Sequence, residues 1–196
     1  SMWSPLFILL TFFPSPLHSQ EDVRVDLNRI TFMISWNIRT AWCQDGGTTS
    51  PFALYAGTLN REGVLIFLYR ISSDYCREQQ TFDTPFSGQA TLSADKTEVL
   101  ECLKGFRVGT CLPGADVIFV DLRLGFRDTW AVSDIDVNVT FTVDHQLYLN
   151  RFEHTNLIPC YAWFEQAKVY QMGPSMGQIR MLDELPKVKT WISGHF

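Results

Sequence analysis

"ITFMISWNIR", residues 30–39, places Ile30, Phe32, Ile34, Trp36 and Ile38 on one side of the chain and mostly polar residues on the other. A repeat of two is the period of a pleated strand with one face buried. "IDVNVTFTV", residues 135–143, repeats the pattern: Ile135, Val137, Val139, Phe141 and Val143 face in, while Asp136, Asn138, Thr140 and Thr142 face out.

Other segments read differently. "GVLIFLYRI", residues 63–71, is a continuous apolar run that suits a strand covered on both faces. "DVIFVDLRL", residues 116–124, reads as a further strand after the turn "LPGA". Two stretches read as helices. In "DKTEVLECLKG", Asp95 stands at the cap with Glu98 three residues on, a capping box, and Gly105 can end the helix. In "NLIPCYAWFEQAKVYQMG", Pro159 falls in the first turn, and Cys160, Trp163, Phe164, Ala167 and Tyr170 share one apolar face before Gly173. Strands flanking helices without regular βαβ alternation predict an α+β fold: one domain with a largely antiparallel β-sheet packed against two or three helices. Residues 1–28 read as an apolar arm and acidic linker, and residues 29–196 as the globular domain. The polar segments 44–51 and 77–88 read as loops.

A chain of 196 residues suits a single domain. Its 46% hydrophobic and 19% charged residues make it globular with apolar surface to spare for partners. The net charge of -5 provides no general basic field, so sequence-specific or phosphate-driven nucleic-acid binding is not expected. Five cysteines, Cys43, Cys76, Cys102, Cys111 and Cys160, are an odd number without the close pairs of a structural zinc site. They are expected as small buried residues with free thiols; one or two disulfides would form only in an oxidising compartment.

"WSPLFILLTFFPSP", residues 3–16, is broken by Ser4 and Pro5 and is too short to cross a bilayer. It has the length of a secretion signal but lacks a positive front, and the Ser1-Met2 start looks like a scar of tag removal. We therefore read it as a docking arm, with Trp3, Leu6, Phe7, Ile8, Phe12 and Phe13 serving self-association.

No catalytic set converges. "GPSMG", residues 173–177, matches a GxSxG elbow with His195 beyond it, but that elbow needs a strand before the serine and a helix after it. His18, His145, His154 and His195 lack metal-binding spacing. The expectation is a non-enzyme with no metal and no cofactor. "NVT" at Asn138 is a formal glycosylation acceptor that matters only after secretion.

Several segments, in order, resemble the matrix protein of vesiculovirus-type rhabdoviruses. "RITFMISWNIRT" is similar to that family's first long strand, "LYAGTLNREGVLIFLYRISS" to the stretch that follows, and "SGQATLSADKT" and "DVNVTFTV" to later strands. "VKTWISGHF" is similar to its C-terminal end. The resemblance implies a non-enzymatic assembly protein of the virion, host cytoplasm and inner face of the plasma membrane, which self-associates and links the viral nucleocapsid to the inner membrane leaflet during budding. "PSPL" (Pro14, Ser15, Pro16, Leu17) stands where some members carry a Pro-Ser-Ala-Pro motif for host sorting machinery, and departs from it. Val23 occupies the place of a methionine used by relatives to block messenger-RNA export, and the family's lysine-rich arm is not seen. Phe82 and Phe86 stand in the segment matching a membrane-touching loop. The alternative reading is a secreted β-rich binding glycoprotein with an N-terminal signal peptide.

Overall fold

A computed structural model describes residues 27–48, 50–72, 85–104, 111–125, 129–156, 160, 162–175, 178–190 and 194–195. In chain order its elements are β1 (Arg29–Thr40), β2 (Ala53–Leu59), β3 (Leu65–Arg70), β4 (Phe86–Asp95), α1 (Lys96–Lys104), β5 (Val117–Asp121), β6 (Thr129–Val143), β7 (Gln146–Thr155), β8 (Trp163–Glu165), β9 (Val169–Met172), β10 (Ile179–Leu182), β11 (Lys189–Thr190) and β12 (Gly194–His195). They form two sheets, one ordered β12-β4-β1-β6-β7 with β8 continuing along β6, the other β10-β9-β5-β2-β3-β11. All pairings are antiparallel except β11 with β3.

This corrects the expected α+β fold. The chain is mostly β, and α1 is the one helix among the described residues. The predicted helix over residues 156–173 is instead β8, a turn and β9. Its apolar residues fit a helical stripe and two short strands equally well, and tertiary packing decides between them. Phe164 and Tyr170 stack with ring centroids 4.2 Å apart, the Tyr170 hydroxyl accepts from the Glu165 amide at 2.7 Å, and Ala167 takes a left-handed turn conformation (φ 66°). Gln166 and Ala167 thus form a turn where a helix would have continued, joining a strand of the first sheet to a strand of the second. The other helix forms as expected. Asp95 Oδ1 accepts from the amides of Thr97 (2.8 Å) and Glu98 (3.3 Å), which caps α1, and Val99 is buried beneath it.

The inner faces of the two sheets form the core. Phe52, Phe86 and Trp130 meet at its centre, with centroids 4.9–5.3 Å apart. The buried indole N–H of Trp130 donates to the Thr40 hydroxyl at 3.0 Å. Phe86 is therefore a core residue and not a membrane-contact residue, which corrects that expectation; Phe82 lies outside the described residues. Gly88 lies opposite Trp36 in the β1–β4 ladder, and a Cβ there would come within 2.4 Å of the indole ring, so only glycine admits the tryptophan.

The second sheet is covered on its outer face as well. Leu68, Val117, Phe119 and Val169 form a separate cluster beneath Leu182, Leu185 and Val188. Hence β5 is buried at every position, while β1 and β6 alternate. The continuous apolar runs and the alternating runs of the sequence mark these two situations.

Replacing Phe86 with alanine should lower the unfolding free energy by about 3–5 kcal/mol, the usual cost of deleting a buried phenylalanine ring. Chemical denaturation reads this directly, and a near-neutral change would contradict the central packing.

Candidate functional site

On the outer face of the first sheet the ladder registers order exposed and half-buried side chains in rows. Thr91, Met33, Thr140 and Leu149 lie side by side on β4, β1, β6 and β7; Gln89, Ser35, Asn138 and Arg151 form the next row; Ser87, Asn37, Asp136 and Glu153 the one after. The face is mostly uncharged and hydrogen-bonding, with apolar relief from Met33 (58% exposed), Leu149 (62%) and Leu147 (68%). Such a surface can hold a polar partner through many side-chain hydrogen bonds while burying a few methyl groups. Asn138 sits in the middle of it, half-buried on a central strand.

Charge gathers at one end of this face. Arg151 pairs with Glu153 in its own strand and reaches Asp136 at 3.8 Å. Partial burial, followed by the neighbouring Glu153 and Asp134 carboxylates, raises the Asp136 carboxyl above its ordinary value, and Arg151 and Arg39 oppose the rise. A carboxyl raised on folding adds stability below the unfolded aspartate pKa and loses that contribution as pH climbs through the folded one.

Cysteines hold the ends of the sandwich. Cys43, just after β1, is bonded to Cys160, ahead of β8, with Cα atoms 5.6 Å apart, and Cys102 in α1 is bonded to Cys111. The expected free thiols are thus corrected at four positions; Cys76 lies outside the described residues. Around the first bond the loop folds back onto β6. The Ala41 amide donates to the Ala131 carbonyl, and the Ala131 amide donates to the Gly46 carbonyl. Cys160 itself takes a left-handed conformation (φ 63°). Trp42, next to the bond, is 82% exposed, and Trp163 on β8 is exposed as well. Neither the cysteine pairing nor this corner was read from the sequence, since spacing along the chain carries no connectivity.

A cleft of about 250 Å³ lies between β5 and the β9–β10 hairpin, lined among others by Asp116, Gln171, Gln178 and Arg180. The Asp116 carboxylate is engaged there by the Leu59 amide at 2.9 Å. Ser175 belongs to the β9–β10 turn, where its carbonyl accepts from the Gln178 amide. Residue 195 lies in β12 beside β4, at the opposite edge of the sandwich from β10, because β11 and β12 follow one another along the closing edge. The GxSxG match and His195 are therefore not brought together.

His154 is buried, its Nδ1 2.7 Å from the Gly173 carbonyl and its Nε2 3.1 Å from Asn156 Oδ1, so it links β7 to the end of β9. His145 and Asp144 form the β6–β7 turn. Among the described residues no group of three His, Cys, Asp or Glu side chains could hold a metal. Trp3, Leu6, Phe7, Ile8, Phe12 and Phe13, and the segment Pro14 to Leu17, lie outside the described residues.

No protein-family description matches the chain, and no curated protein matches it. Among solved structures, a crystal structure of a lipoxygenase variant is similar over 74% of this chain and 16% of its own, with 14% sequence identity and a TM-score of 0.32. A likeness that slight assigns neither fold nor activity.

Asp136→Asn should raise the melting temperature at neutral pH, where the charged carboxylate is penalised, and the gain should fade as pH falls below about 4, where the native side chain is also neutral. Removing the long-range bond with Cys43→Ser and Cys160→Ser together should cost about 2–5 kcal/mol in chemical denaturation, because residues 117 apart are then untethered in the unfolded chain.

Proposed function

We propose that this chain is a secreted β-sandwich glycoprotein that binds its partners through the open face of its first sheet. The observation that carries this reading is the pair of disulfides. Bonded cysteines persist in oxidising compartments and are rare in the reducing cytosol. Two of them fasten opposite loop regions of this fold, as suits a domain working outside the cell. On this reading residues 6–13 are the apolar centre of a secretion signal, and "NVT" at Asn138 becomes a working acceptor that carries its glycan on the outer sheet face.

The open face supports a binding role over a catalytic one. Its rows of Thr, Ser, Asn and Gln offer donors and acceptors without an arranged nucleophile or base, and Met33 and Leu149 supply the apolar contact that most recognition surfaces need.

Expression of the full chain in secretory eukaryotic cells tests the proposal. Mass spectrometry of the medium should find the protein cleaved near Gln20, with Cys43–Cys160 and Cys102–Cys111 peptides and a glycan on Asn138. Retention in the cytosol with reactive thiols at positions 43 and 160, and assembly that depends on residues 3–13, would overturn it in favour of the matrix-type reading.

A further inference from the structure

Among the described residues, strand β7 is a long sheet edge with no strand paired on its outer side. The β6–β7 hairpin turns on two residues, Asp144 (φ 47°) and His145 (φ 67°), both left-handed, and Val143 faces Gln146 across the turn. In this type of hairpin the flanking pair exchanges backbone hydrogen bonds and every second residue follows suit. Residues 146, 148, 150, 152 and 154 therefore bond to β6, and the Asn156 amide continues the series by donating to the Ser133 carbonyl at 2.7 Å. The amides and carbonyls of Leu147, Leu149, Arg151, Glu153 and Thr155 point the other way, where no described strand lies and no described backbone bond reaches them.

The other described strands with one paired side, β8, β10, β11 and β12, are two to four residues long; β7 has ten. It contains no proline and no lysine, two of the devices that keep edges from pairing. At the other side of the sandwich β11 pairs with β3 and β12 with β4, so among the described residues β7 is the edge of the first sheet that carries no further strand.

We propose that two copies of this chain join through β7, antiparallel about a two-fold axis, with Arg151 of each copy opposite the partner's Glu153. An antiparallel edge is self-complementary under such an axis, so a second copy fits it without any further feature. The register follows from charge. Setting Arg151 against the partner's Glu153 also sets Leu149 against the partner's Thr155, uses the four outward residues from 149 to 155, and makes roughly eight new backbone hydrogen bonds. A shift by one step would oppose Arg151 to its own copy and Leu149 to the partner's Glu153, which like-charge repulsion disfavours. The paired charges then alternate in sign across the axis, each arginine lying between its own Glu153 and the partner's. Joined this way, the two open faces become one surface that could engage a repetitive partner at two points.

Sedimentation of the full chain from micromolar to hundreds of micromolar concentration should show a reversible monomer–dimer equilibrium. Arg151→Glu and Glu153→Arg should each weaken dimerisation by roughly tenfold or more, and the double variant should recover most of it, because the exchange restores opposite charges across the axis. Leu149→Pro removes an amide that only the dimer uses, so it should give a monomer with an unchanged circular dichroism spectrum. A chain that stays monomeric over this range, a double variant as weak as either single one, or a folded Leu149→Pro protein that still dimerises would overturn the proposal.

Discussion

The meeting of Phe52, Phe86 and Trp130 at the centre of the sandwich constrains everything around it. Phe52 stands at the entry to β2, Phe86 begins β4, and Trp130 lies near the start of β6, so these three rings tie together the two sheets where the chain passes between them. Excluding water from three large rings fixes the spacing of the sheets. The indole N–H must also be satisfied, and Thr40 at the end of β1 does so, which positions the loop carrying Cys43. From that loop the disulfide reaches across to Cys160 and to the strand that follows it.

The two sheets end up in different surroundings, and this difference locates the proposed recognition surfaces. The C-terminal segment lays Leu182, Leu185 and Val188 over the second sheet, while the first sheet's outer face carries the exposed Met33, Leu147 and Leu149. The open face and the long β7 edge share the residues Leu149, Arg151 and Glu153: their side chains look outward from the face, and their backbone groups look sideways from the edge. A glycan on Asn138 would rise from the face and leave the plane of the sheet free, so modification at one and pairing at the other are compatible.

How much was legible depends on whether the information was local. The capped helix could be read because Asp95 and Glu98 act within one turn of each other. β1 and β6 could be read because one of their faces stays in water and leaves an alternating imprint. The segment holding β8 and β9 reads as a helix because its short apolar run fits both periods, and a distant disulfide and a stacked ring pair choose between them. The alternation of β7 is blurred for a related reason. Tyr148, Phe152 and His154 face in while Leu147 and Leu149 face out, so alternation is blurred on the strand whose edge is most open. Phe86 reads as a loop residue because its neighbours upstream are mostly polar; its burial comes from residues 34 and 44 positions away.

By itself the sequence determined the long alternating strands, the fully covered ones and the capped helix, since each rests on periodicity or on contacts within a few residues. Only the tertiary structure decided that there are two sheets, which cysteines pair, that Phe86 is core, and which face and edge stay open. Those outcomes depend on segments far apart in the chain competing to bury the same apolar surface, and no short stretch of sequence carries the result of that competition.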